Sequence, residues 1–208
     1  MQKIKELRPA WAEINLDNLA HNIQEVRRVV KPDTIVTAVI KADGYGHGAV
    51  QIAETLIENG ADRLAVATLS EAIQLRKTYK DIPILILGYT PKESSCLVVG
   101  NNITQTIYTY DQAVALSNEA VALNGEVKIH IKIDTGMSRL GMKPSDETVE
   151  IIKKISELPN LIIEGIFTHF AVADEEDKEF TYKQVERFNY LCRSLENENI
   201  DIPIKHVS

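Results

Sequence analysis

The chain has 208 residues, with 23 Lys+Arg against 30 Asp+Glu, a formal net charge of −7 at pH 7, 44% hydrophobic and 25% charged residues. Those proportions describe an ordinary globular chain of one to two domains. The acidic balance argues against nucleic acid or an anionic membrane surface as partner, since both need clustered cations. No run approaches the roughly 18 apolar residues that span a bilayer. The opening MQKIKELRPAWAEIN lacks the apolar core and small-residue cleavage site of a secretion signal. Cys96 and Cys192 are too few for a disulfide framework or a zinc site. The expectation is a reduced, cytoplasmic protein of one large domain, or part of something larger.

In chain order, an opening strand is expected at Trp11 to Asn15. A helix follows, with Leu16, Leu19, Ile23, Val26 and Val30 on one face and Asp17 near its start. The first full unit is a strand from Thr34 to Lys41, then a helix carrying Ile52, Ala53, Leu56 and Ile57 that stops at Gly60. The second is Arg63 to Thr68, with a helix opening at Ser70 and Glu71 in its first turn. Further strands read as Pro83 to Gly88, Ile103 to Tyr108 (followed by a helix from Asp111 to Leu123), Val127 to Asp134, Leu161 to His169, and a seventh beginning near Ile204. The acidic run Asp174-Glu175-Glu176-Asp177 is expected to be the solvated first turn of the sixth helix, where it suits the macrodipole.

Strands alternating with helices predict a parallel α/β fold, either a doubly wound sheet or a barrel. A closed (β/α)8 barrel needs an eighth strand and typically ~250 residues. The chain reaches Ser208 inside or just after the seventh strand, and an unpaired central strand would be an exposed edge. The expected fold is therefore an incomplete (β/α)8 TIM-type barrel of about seven βα units.

The densest constellation is Lys41-Ala42-Asp43-Gly44-Tyr45-Gly46-His47-Gly48. Lys41 closes an apolar strand, and a strand-end lysine in a barrel lies on the face where barrel active sites are built. Buried there, it loses its charge readily and can attack a carbonyl to form a Schiff base. The same residues fit a lysine snorkelling beside a plain glycine turn. The glycine spacing matches neither a P-loop nor a Rossmann fingerprint.

In the fifth strand, Val127, Ile129, Ile131 and Ile133 face one way and Lys128, His130, Lys132 and Asp134 the other. In a barrel the polar row would face the lumen, whereas a half-exposed antiparallel strand would explain it with no function. The next loop, Thr135-Gly136-Met137-Ser138-Arg139-Leu140-Gly141, presents Arg139, suited to a carboxylate. His169 ends the sixth strand. Singly, Arg139 reads as a surface charge and His169 as a packed core residue. Together with Lys41 they fall at C-terminal strand ends, which a barrel brings to one face.

Pro9 to Leu16, Lys41 to Gly48, Asp134 to Gly141 and Gly165 to Phe170 resemble the alanine racemases, the fold-type III enzymes of pyridoxal 5'-phosphate (PLP). The resemblance runs over essentially the whole chain in order and spacing. Asp43-Gly44 departs from the Asn-Ala that the family often shows. The resemblance implies that Lys41 carries PLP as an aldimine and moves the α-proton on one substrate face. It implies that Tyr45 bonds the cofactor phosphate, and that Arg139 sits near the PLP phenolic oxygen and the substrate carboxylate. His169 would pack on the pyridine ring, and His206 would support an arginine further along. Lys132 matches a lysine that many members carry carbamylated.

On the same footing, the implied activity interconverts L- and D-alanine, supplying D-alanine for peptidoglycan, in a cytoplasmic homodimer acting on a small amino acid. Family members complete the phosphate site with an Asn-Ser pair, and the second catalytic face with a tyrosine from the partner's C-terminal β-domain. That β-domain is expected to be absent here, which makes residues 1–208 an N-terminal PLP-binding barrel fragment, weak in PLP binding and nearly inactive alone. Whether the fragment keeps the dimer stays open. The alternatives are a non-enzymic PLP-binding homeostasis protein, a racemase for another amino acid such as serine, a fold-type III decarboxylase, or a Schiff-base aldolase without PLP.

Overall fold

The computed structural model describes residues 10–207. Helix α1 (Leu16–Val29) leads into β1 (Thr37–Val39), and after a turn at Lys41–Tyr45 come α2 (Ala49–Glu58), β2 (Arg63–Val66), α3 (Leu69–Thr78) and β3 (Ile84–Ile86). A short α4 (Ser95–Gly100), β4 (Thr104–Ile107), α5 (Tyr110–Ala122), β5 (Val127–Lys132), α6 (Asp146–Ser156), β6 (Leu161–Thr168), α7 (Glu179–Asn197) and β7 (Ile204–Val207) complete the order. No helix among the described residues is long and apolar enough to cross a membrane.

The seven strands form one parallel sheet in sequence order, each paired with the next. Its curl is set by a contact. Arg63 of β2 forms an ion pair with Glu164 of β6, four strands apart, whereas in a flat sheet such strands lie roughly 19 Å apart at ~4.8 Å spacing. The sheet therefore wraps into the expected incomplete barrel. Side chains of β5 divide as the alternation predicts. Ile129, Ile131 and Ile133 are fully buried on the outer layer with Leu64, Ile86 and Ile166, packed against Ile52, Leu75, Leu116, Ile152 and Leu191 of the helices. Each such burial contributes about 1.5–3 kcal/mol. The cross-strand register carries the other face around the lumen, from Thr106 to His130 to Gly165 and from Lys132 to Phe167 to His206.

Several sequence expectations need correction. Residues 10–15 form no strand. Asn15 instead caps α1, its Oδ1 accepting from the Asn18 N–H at 3.0 Å. The helix expected at Ser70 opens at Leu69, because Thr68 and Glu71 make a reciprocal capping box. The acidic run 174–177 precedes α7 rather than forming its first turn. It stays solvated, and Asp177 Oδ1 accepts from the Glu179 N–H at 2.9 Å.

Candidate active site

Lys41 follows Ile40, whose N–H still donates to Ala65 O at 2.9 Å and so holds the end of β1 against β2. The next residues reverse the backbone hand. Ala42, Asp43, Gly44, Tyr45 and Gly46 have φ of 52, 53, 64, 55 and 85°. A left-handed turn costs about 1–2 kcal/mol at each residue with a Cβ, so outside contacts must hold it. Glu71 of α3 does so. Its Oε1 accepts from Ala42 N–H at 2.7 Å, while Oε2 accepts from the N–H groups of Ala67 at 2.8 Å and Thr68 at 3.1 Å. Asp43 Oδ1 accepts from Ala49 N–H at 2.8 Å, tying the turn to the start of α2. Strain held in place this way marks functional sites more often than neutral ones.

The loop after β5 is equally pinned. Asp134 Oδ1 accepts from the N–H groups of Gly136 and Ser138 at 3.1 and 2.9 Å. The chain then returns so that Met142 N–H donates to Lys132 O at 3.0 Å and Asp134 N–H to Met142 O at 2.8 Å. Gly141 makes the return feasible, because a Cβ there would lie 2.6 Å from Asp134 N. Gln184 of α7, fully buried, donates to Thr135 Oγ1 at 3.1 Å and to His169 O at 3.3 Å, and accepts from Ala171 N–H at 2.9 Å. One amide thus ties the Arg139 loop to the segment after β6.

These elements enclose a cleft of about 230 Å³ at the C-terminal ends of the strands. Lys41, Tyr45, Lys132, Arg139 and His169 line it, with Val39, Leu87 and Phe167 as apolar wall. Lys41 Nζ lies 6.0 Å from the Tyr45 ring centroid and Lys132 Nζ 5.4 Å from that of Phe167. Lys132 is buried and donates to Ile133 O at 2.8 Å. Its burial pushes the ammonium down to about 8, with Asp134 opposing and Arg139 reinforcing the shift. His206 does not line the cleft; its ring stacks on Phe167, centroids 4.5 Å apart and planes 6° from parallel. A separate groove of about 320 Å³ between α1 and β1 is largely apolar. Among the described residues no group of three or more His, Cys, Asp or Glu could hold a metal ion.

The structure therefore brings Lys41, Tyr45, Lys132, Arg139 and His169 together and sets His206 behind the wall. Glu71, Gln184 and Glu164 escaped the sequence reading as site residues. Glu71 was visible as a first-turn acid, but its second reach to Ala42 depends on tertiary structure. Glu164 had a signal in Glu164-Gly165, a polar-glycine break in an apolar strand, which marks a bulge or a close approach.

Comparison with known proteins shows the family. The family model described as "Alanine racemase, N-terminal domain" matches residues 14–208. An alanine racemase of Clostridium acetobutylicum is 50% identical over 203 residues, covering 98% of this chain and 52% of that protein, and one of Clostridium tetani is 51% identical over 204 residues with the same coverage. The solved alanine racemase of Clostridium difficile 630 in complex with cycloserine superposes with a TM-score of 0.94 at 43% identity, over 97% of this chain and 55% of that one. A histidine racemase from Leuconostoc mesenteroides superposes with a TM-score of 0.85 at 27% identity, over 93% of this chain and 51% of that one. The chain thus spans about half the length of these relatives, and it belongs to the alanine racemase N-terminal domain family.

Proposed function

We propose that this domain is the cofactor-binding part of a PLP-dependent amino-acid racemase that interconverts L- and D-alanine. The observation that carries the reading is the convergence of a strand-end amine, Lys41, with Lys132 and Arg139 in one cleft backed by Phe167. That donor set fits PLP. A primary amine can bond its aldehyde, cationic side chains suit its oxygens, and an apolar wall suits a planar ring. When bound, the cofactor supplies an electron sink that stabilises the negative charge left at the substrate α-carbon.

The chain's own residues do the rest. Lys41 would hold the cofactor, and its Nζ is the group that would take or return the α-proton. Arg139 orients the substrate carboxylate with its planar fork. Tyr45 would bond the phosphate, and His169 would pack on the ring. With its ammonium at about 8, a minor fraction of Lys132 is deprotonated at pH 7, the state that reacts with carbon dioxide. Carbamylation would turn a cation beside Arg139 into an anionic partner. Racemisation needs a second acid/base group on the opposite face, which we assign to the half of the relatives that this chain does not match. We infer the full activity, the homodimer, the cytoplasmic setting and the supply of D-alanine for peptidoglycan for a protein that includes that half. A second reading, racemisation of another amino acid, is favoured by the histidine racemase with the same barrel.

The test is an absorbance spectrum with added PLP, before and after borohydride, with mass mapping of the reduced adduct. Phosphopyridoxyl on Lys41, lost completely in Lys41→Ala, is the expected result. An adduct elsewhere, or none even when the domain is joined to the remaining half of a relative, would sink the PLP reading.

A further inference from the structure

Below the cleft, the lumen holds a chain of polar contacts that none of these steps uses. Along β5 and β6, Ile129 pairs with Ile163 but His130 with Gly165, so Glu164 is the extra residue of a bulge. Bulges re-aim side chains, and this one turns the Glu164 carboxylate into the lumen. There it meets the Arg63 guanidinium, Lys128 Nζ at 2.9 Å and His130 Nε2 at 3.2 Å. On the far side of the His130 ring, Nδ1 lies 2.9 Å from His206 Nε2. Gly165 makes room for that ring, because a Cβ there would stand 2.5–2.8 Å from its atoms.

The protons along this chain can be placed. An ionised carboxylate only accepts, so the His130 proton facing it sits on Nε2. Glu164 is already matched by Arg63 and Lys128. Two cations already face that one carboxylate, so a charge on His130 would add to the excess, whereas an uncharged ring with its proton on Nε2 leaves Nδ1 as a bare acceptor. The proton between the two rings then belongs to His206 Nε2. Two charge effects agree with this. Burial alone would raise the Glu164 carboxyl, but hydrogen bonds from His130, Arg63 and Lys128 hold it well below the usual carboxylate range. Burial, the largest cause, pushes His206 down to about 3, so it is neutral at pH 7.

We propose that Glu164 is a positioning residue that acts through His130 to fix His206 as its Nε2–H tautomer, leaving His206 Nδ1 as an acceptor for an N–H donor. The consequence rests on reading the cleft as the cofactor site: His206, stacked on the Phe167 wall, then offers an acceptor and adds no positive charge. The evidence for the relay does not depend on PLP. A charged His130 would reverse the hydrogen bond and place the His206 proton on Nδ1, so the two arrangements are opposite and distinguishable.

The experiment is two-bond 1H–15N spectroscopy of the whole chain labelled with 15N-histidine, at pH 7 and without PLP. Spectra of His130→Asn and His206→Asn assign the two rings by loss of signal. The expected spectrum has both rings as Nε2–H tautomers, with His206 Nδ1 in the unprotonated range. A protonated or averaged His206 Nδ1, or a doubly protonated His130, overturns the proposal. Arg63 and His130 share Glu164 Oε2 while Lys128 takes Oε1, so in Glu164→Ala the His130 Nε2–H loses its acceptor and His206 Nδ1 is expected to move from the unprotonated range to an averaged position. An unchanged His206 in that variant overturns the role of Glu164, and if the variant fails to fold, the wild-type spectrum still decides. Because no PLP is present, failure of the borohydride adduct and failure of the relay are separate outcomes.

Discussion

In the lower lumen, Glu164 meets Arg63, Lys128 and His130, so charge is matched within the barrel wall. Further along, at the ends of the strands, Lys41, Lys132 and Arg139 share a cleft, and no ion pair among the described residues involves any of the three. Both regions draw on β5, with Lys128 and His130 below and Lys132 above. The contrast is one of charge: the lower half matches its own, whereas the upper half gathers positive charge without an ion pair among the described residues.

The largest test breaks the compensation below. Arg63→Ala leaves the largely buried Glu164 carboxylate without its guanidinium partner, and removing one partner of a buried pair costs about 3–5 kcal/mol. Urea unfolding at pH 7 measures this, and a loss under 1 kcal/mol would show that the lower half is not organised around that pair. Next comes Lys132. Its ammonium is depressed to about 8 in the fold against 10.5 when unfolded, so between those pH values the unfolded chain binds more protons and stability rises with pH. Lys132→Met is expected to exceed the parent by on the order of 2–3 kcal/mol at pH 7, with the difference fading as pH climbs toward 10.5. Parallel pH profiles for the two proteins would contradict the burial argument. The lower half responds at the acid end. His206 stays neutral in the fold down to about 3 but titrates near 6.5 unfolded, so its contribution is lost as pH falls from 6.5 toward 3. The smallest effect is Lys128→Ala. Its side chain is 51% exposed, so losing its contact with Glu164 is expected to cost under about 1 kcal/mol by the same unfolding measurement.

Much of this was legible in the sequence. Period-2 alternation in Val127–Lys132 marks which side chains face the lumen, and Lys41, Arg139 and His169, each just beyond a strand, mark the cleft. What stayed hidden was conformation rather than composition. Ala42, Asp43 and Tyr45 carry no mark of positive φ, because the hand of that turn is imposed by Glu71 from another unit. The opening strand at Trp11 to Asn15 failed because an apolar-polar alternation says nothing about whether a partner strand is available. Asn15 had a better use as a helix cap. The bulge at Glu164 shifts register by one residue, and although Gly165 hints at a break, β6 alone does not name the carboxylate's partners, Arg63 and Lys128, on other strands.

The left-handed turn also bears on the order in which the molecule comes together. An L-peptide has no tendency to hold several successive residues in the mirror-image helix, so Ala42–Gly46 cannot seed structure. It takes its hand only after the β2–α3 unit has docked and offered the Glu71 carboxylate. The segment bearing Lys41 thus depends on that docking for its shape, and the direction of its amine is fixed only with it.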